Sequence, residues 1–102
     1  MILRDMNEDD LDAVLAIERA VHAHPWTRGN FSDAMRSAYI CKILESNGTM
    51  MGYAVMMMGV DEAELLNIAI DAAYQRKGKG RRLLEAMLSL ARQAGMRRLV
   101  LE

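Results

Sequence analysis

The sequence predicts an α/β (α+β) layer protein whose elements run strand, helix, helix, strand, strand, strand, helix, strand. Three observations carry that reading. Apolar residues recur at helical spacing in two separated stretches, Leu11, Val14, Leu15 and Val21 early in the chain and Leu83, Leu84, Met87, Leu88 and Ala91 late in it. Asn47-Gly48 stands between two strand-like runs, the strongest short hairpin signal a sequence can offer. The chain then closes on a strand, a helix and a strand, a unit that joins parallel strands through a right-handed crossover.

Taken in order, Ile2 to Met6 makes a short strand, and Asn7 or Asp9 caps the first helix, whose opening acids suit its N-terminal dipole. His24-Pro25-Trp26 breaks that helix, since proline fixes φ and lacks an N–H; Thr27 is placed to cap a short second helix containing Phe31 and Met35. Ala38 to Glu45 alternates as a strand, and beyond the hairpin Met50 to Val60 runs back as a longer one. Asp61 and Glu62 mark the next turn. Ala63 to Ile70 is a mostly apolar strand, the third helix stops at Gly95, and Leu99-Val100-Leu101 begins a last strand. No repeat, low-complexity tract or linker interrupts this order.

Composition narrows the class. At 102 residues, 52% hydrophobic and 26% charged, the chain describes one soluble domain with no room for a second. Its longest strongly apolar stretch, around Tyr53 to Met58, is far short of the roughly 18 residues of a membrane span. The amino end lacks the cationic-then-apolar order of a signal peptide, so no membrane partner and a cytoplasmic location are expected. Cys41 is the only cysteine, which excludes an internal disulfide and suggests a buried, inert thiol. His22 and His24 have no cysteine partner in a metal-binding spacing, and no metal is expected. The net charge of −1 hides a split: residues 1–75 hold five Lys/Arg against twelve Asp/Glu, residues 76–102 eight against two. An acidic front suits a cationic substrate and a basic rear a polyanionic one, although both also serve solubility.

The densest signal is Asp71 to Leu84, DAAYQRKGKGRRLL. It sets Arg76, Lys77, Lys79, Arg81 and Arg82 at the start of the third helix, where free N–H groups and a partial positive charge already favour an anion. Each cation there costs on the order of 0.3 to 1 kcal/mol, which a bound phosphate or pyrophosphate reverses. The turn therefore reads as a phosphate cradle. It is not a P-loop, because Gly80 is followed by Arg81 rather than by Lys and a hydroxyl residue, and not a dinucleotide fingerprint, because Leu83 occupies the place of the third glycine.

What remains is Q-R-x-G-x-G, Gln75 to Gly80, set within Asn67 to Leu84 between a strand and a helix. This pattern resembles the acetyl-coenzyme A signature of the GCN5-related N-acetyltransferases (GNAT), whose fold begins with the same order of elements. Ile17-Glu18, the elbow Ala23-His24-Pro25-Trp26, the Asn47-Gly48 hairpin and Asp61-Glu62-Ala63 leading to Leu66-Asn67-Ile68-Ala69 are similar to the RimI type, the ribosomal-protein-alanine N-acetyltransferases. The resemblance covers almost the whole chain. It implies a three-layer fold with a central mixed, largely antiparallel sheet flanked by helices. Such relatives continue beyond Glu102, so it also implies one N-acetyltransferase domain over 1–102, truncated after the start of the fifth strand.

The resemblance implies acetyl-CoA as cosubstrate, direct attack of a protein's α-amino group on the thioester, and the N-terminal alanine of a small-subunit ribosomal protein as acceptor. A free α-amino group titrates near pH 7.7 to 8.0, so a base must take its proton. By resemblance that base is Glu102, acting through water; the plain alternative is an exposed terminal glutamate. The backbone of Ile68, Ala69 and Ile70 serves the acetyl-pantetheine arm, and N–H groups over Arg76, Lys77, Gly78, Lys79, Gly80 and Arg81 hold the pyrophosphate. Pro25, Trp26 and Asn67 line the peptide's groove, against a role for the Pro25-Trp26 pair as a plug between helices. The family's Tyr acid belongs to the segment beyond Glu102, and Tyr39, Tyr53 and Tyr74 are not given its role. Two alternatives stand beside this reading: a non-catalytic coenzyme A-binding fragment, or a homodimer covering the edge left by truncation. A nucleic-acid module resting on the cationic turn is disfavoured by 5% aromatic content and the acidic remainder, and no direct nucleic-acid partner is expected.

Overall fold

A computed structural model describes residues 1–101, which form one five-stranded sheet with three α-helices on its two faces. The strands are β1 (Ile2–Asp5), β2 (Ile40–Ser46), β3 (Thr49–Met58), β4 (Glu62–Ile70) and β5 (Arg98–Leu101), in the spatial order of the sequence. The first three pairings are antiparallel, and β4 and β5 run parallel across α3 (Lys79–Gln93). The expected element order and mixed sheet are found.

Helices α1 (Leu11–Val21) and α2 (Arg28–Arg36) cover one face and α3 the other. The first core joins Leu11, Val14, Leu15 and Phe31 to Ile43, Tyr53 and Val55; the second joins Leu83, Met87 and Ala91 to Leu44, Ala54 and Met56. Cys41 is buried in the first, where desolvation, then the Asp5 charge, pushes its thiol up to about 11.

The caps show why the elements start and stop where they do. Asn7, not Asp9, is the cap: its Oδ1 accepts from Asp9 N at 2.9 Å and opens a 3₁₀ turn, Glu8–Asp10, that leads into α1. Asp10 Oδ2 accepts from Asn7 N at 2.8 Å, and Arg4 clamps the same carboxylate at 2.8 and 2.9 Å, which holds its pKa below the ordinary range. Thr27 caps α2 as expected, its hydroxyl oxygen accepting from Asn30 N at 3.2 Å. Strand β2 starts at Ile40 rather than Ala38 because Ala38 takes φ +61 to close α2, with Tyr39 N donating to Ala34 O at 3.1 Å. Asn47 and Gly48 both take positive φ, the type I′ hairpin geometry. Strand β3 stops at Met58, short of Val60, because Gly59 N donates to Glu62 O at 2.9 Å and closes the turn.

One irregularity positions the site. In the β3–β4 ladder Met56 opposes Leu65 but Val55 opposes Asn67, so Leu66 is an extra residue, a β-bulge. Simple alternation would put Leu65 and Asn67 on one face. The bulge separates them: Leu65 packs with α3, whereas Asn67 bonds to α1. Among the described residues, no helix is long and apolar enough to cross a membrane.

Candidate functional site

A cleft of about 840 Å³ opens between the end of α1, the second half of β4 and the start of α3. Glu18 and His22 line it from α1, Trp26 from the elbow, Asn67 to Ile70 from β4, and Gly80, Arg81 and Leu84 from α3. Leu101 lines it from β5.

Its floor is a polar network set in apolar surroundings. Glu18 is fully buried. Leu11, Val14, Leu15 and Glu18 share one helical stripe, so the same 3.6-residue period that buries the leucines buries this carboxylate. Burying an ionised group costs several kcal/mol unless donors surround it. Here the Tyr53 hydroxyl donates to Oε1 at 2.6 Å, Asn67 Nδ2 to the same oxygen at 3.0 Å, and Trp26 N to Oε2 at 2.9 Å. Burial, then the hydrogen bond to Glu18 and its charge, raise the Tyr53 phenol far above its ordinary range. The phenol is thus locked as a donor and, fully buried, does not reach the cleft as an acid. His22, one third exposed, sets Nε2 at 3.1 Å from Asn67 Oδ1 and 3.7 Å from Glu18 Oε1.

The cationic turn forms the other end. Gly78 takes φ +78 as the N-cap of α3 and brings no side-chain cap, and the first turn contains no acidic residue. Arg82 N, donating to Gly78 O at 3.1 Å, makes the first helical bond, so the amides of Lys79, Gly80 and Arg81 have no acceptor among the described residues. Arg76 also takes positive φ, at +62, an uncommon state for a residue with a Cβ. Gly80 is not glycine for want of internal space: a Cβ there would meet only Ile70 Cγ1, at an ordinary 3.7 Å. Unfilled amide donors, absent acids and a glycine that the protein's own packing does not require all fit an anionic group at this end.

The third component is backbone. Parallel pairing of β4 with β5 covers Glu62 to Leu65, so the outer edge of Leu66 to Ile70 has no strand partner among the described residues and borders the cleft. The Ile70 carbonyl accepts from Gln75 Nε2 at 2.9 Å, which ties the strand end to the cationic turn.

Of the residues expected from sequence, Trp26, Asn67, Ile68, Ala69, Ile70, Gly80 and Arg81 come together in this cleft. Arg76, Lys77, Gly78 and Lys79 are not among its lining residues and form the turn leading into it. Pro25 is exposed and does not line it; Trp26 both lines it and packs at a tilt against Phe31, with ring centroids 5.1 Å apart. Glu102 lies outside the described residues. Sequence reasoning gave Glu18, Tyr53 and His22 no part in the site. The available signal was a glutamate on an otherwise apolar stripe with a histidine four residues on. Among the described residues, no cluster of three or more His, Cys, Asp or Glu could hold a metal.

Comparison with known proteins agrees with this geometry. The model of the Acetyltransferase (GNAT) family matches residues 4–102. The [ribosomal protein bS18]-alanine N-acetyltransferase of Escherichia coli (strain K12) is 37% identical over 100 residues, covering 98% of this chain and 68% of that protein. The crystal structure of the ribosomal-protein-S18-alanine N-acetyltransferase from Escherichia coli superimposes with a TM-score of 0.89 at 36% identity, over 98% of this chain and 64% of the other. N-acetylglutamate synthase from Neisseria gonorrhoeae, crystallised with coenzyme A and N-acetyl-glutamate, superimposes with a TM-score of 0.82 at 25% identity, over 96% of this chain and 24% of that one.

Proposed function

The chain belongs to the acetyltransferase (GNAT) family, and on that footing we propose that it is an acetyl-CoA-dependent N-acetyltransferase acting on a protein's N-terminal α-amino group. The acceptor is the N-terminal alanine of a ribosomal protein, a substrate named for relatives that this chain matches over 98% of its own length. The observation that carries the reading is the convergence of three components on one cleft: amides at the start of α3 with no acceptor among the described residues, the Ile68–Ile70 stretch of β4, and a polar floor.

The amides of Lys79, Gly80 and Arg81, with the turn from Arg76 to Gly78, would hold the pyrophosphate, and the edge of Ile68 to Ile70 the pantetheine arm. When bound, acetyl-CoA supplies an activated acetyl thioester. Backbone donors on the β4 edge would stabilise negative charge developing on the acetyl oxygen. Trp26 and Asn67, and Pro25 from outside the cleft rim, would border the incoming peptide. Glu102 stands as the base suggested by the family resemblance.

Calorimetric titration with acetyl-CoA, followed by acetylation of an alanine-first peptide detected by mass, tests the reading. Binding and a gain of one acetyl group at the α-amine support it; absence of acetyl-CoA binding overturns it. Binding without transfer leaves a coenzyme A-binding protein in its place.

A further inference from the structure

The hydrogen bonds around Asn67 fix the proton on His22. Glu18 carries three donors on its two oxygens, and a carboxylate only accepts, so Asn67 turns its NH₂ toward Glu18 and its Oδ1 toward the imidazole. An acceptor at 3.1 Å from Nε2 requires the proton to sit on Nε2. The neutral ring then has its lone pair on Nδ1, which has no hydrogen-bond partner among the described residues, on a side chain that lines the cleft.

We propose that His22, in place of Glu102, is the proton acceptor for the incoming amine. The step rests on the N-acetyltransferase reading. Nδ1 forms a bond to one proton of the acceptor's ammonium; that N–H bond breaks and its electron pair stays on the amine nitrogen, now free to attack. The ring becomes an imidazolium with both nitrogens protonated, and no other bond changes. Asn67 Oδ1 keeps hold of Nε2–H throughout, with Glu18 Oε1 lying 3.7 Å from Nε2. Because the ring is one third exposed, the proton passes on to solvent.

The charged and titratable groups facing His22 come from every wall. Glu18 on α1 lies 3.7 Å from Nε2, Tyr53 on β3 bonds to Glu18, and His24 of the elbow and Arg81 of α3 line the same cleft. Tyr53 stays a neutral donor. His24 is exposed and has no fixed partner among the described residues, so it lacks the orientation that Asn67 gives His22.

His22→Gln is the decisive variant, because the glutamine amide N–H reaches the position of Nε2–H and can hold Asn67 Oδ1, yet cannot take a proton. We expect unchanged melting temperature and acetyl-CoA affinity, a fall in kcat/KM on the order of 10²- to 10⁴-fold, and loss of the acid limb of the pH–rate profile. Nitrogen NMR of the wild-type chain labelled in histidine gives a reading independent of turnover. His22 should carry its proton on Nε2, and an alanine-first peptide should move its Nδ1 resonance. Activity within twofold of wild type with the acid limb intact would overturn the proposal, as would a proton on Nδ1. If Glu102→Gln removes that limb and His22→Gln does not, the base is Glu102. Failure of the wild type to bind acetyl-CoA overturns the parent reading instead.

Discussion

Tyr53 and Glu18, 35 residues apart in sequence, meet through a 2.6 Å hydrogen bond that joins the central strand β3 to helix α1 in the floor of the cleft. Neither side chain has solvent to fall back on, so the bond sets both the stability of this face and the shape of the site.

Tyr53→Phe keeps the ring that stacks edge-on against Phe31 and removes only the donor. A hydrogen bond to a charged group is worth about 1.5 to 3 kcal/mol, and the loss should appear in full because Glu18 cannot replace it with water. Chemical denaturation should show the midpoint moving down with an unchanged slope.

The Arg4–Asp10 pair makes a pH-dependent contribution. Arg4 lowers the Asp10 pKa in the folded state, so the stabilisation is present above the ordinary carboxylate range and fades as pH falls through the folded value. Asp10→Asn should cost about 1 kcal/mol at pH 7, a modest figure for a partly exposed pair, and almost nothing near pH 2. Urea titrations at several pH values would show wild type and variant converging on the acid side only.

Gly78 and Gly80 should respond differently to substitution. Gly78→Val forces a β-branched residue into φ +78 and should cost roughly 1 to 2 kcal/mol of stability as well as acetyl-CoA affinity. Gly80→Ala has internal space and replaces a helical glycine, so it should gain about 0.5 to 1 kcal/mol while weakening acetyl-CoA binding. Melting curves paired with calorimetry would expose this opposition of sign; unchanged affinity in both variants would remove the cradle.

Cys41, with its thiol pushed up to about 11, should resist thiol reagents at pH 8 in the folded chain and react with one equivalent once urea unfolds it. Mass measurement before and after unfolding checks this.

Much of the fold was legible because the signals were local. The Asn47-Gly48 turn, the Thr27 cap and the Gly95 stop each depend on a few neighbouring residues, and each lies where the sequence put it. The cationic turn was legible for the same reason: charge and glycine spacing crowd into six residues. The polar floor was not, since it joins residues 18, 53 and 67 from three elements, and only tertiary packing brings them within 3 Å. Nor was the bulge at Leu66, because a mostly apolar strand shows no break in facing until its partner strand is known.

That extra leucine separates two properties of a strand. Removing Leu66 would leave every cross-strand partner as it is, Asn67 still opposite Val55 and Ala69 still opposite Tyr53, so side-chain facing would survive the deletion. What would vanish is the local bend and added twist that a bulge gives its strand, directly where β4 borders the cleft. A chain shortened by that single residue should therefore fold in the correct register and yet hold its ligands badly, which makes strand length, more than residue identity, the setting of the aperture.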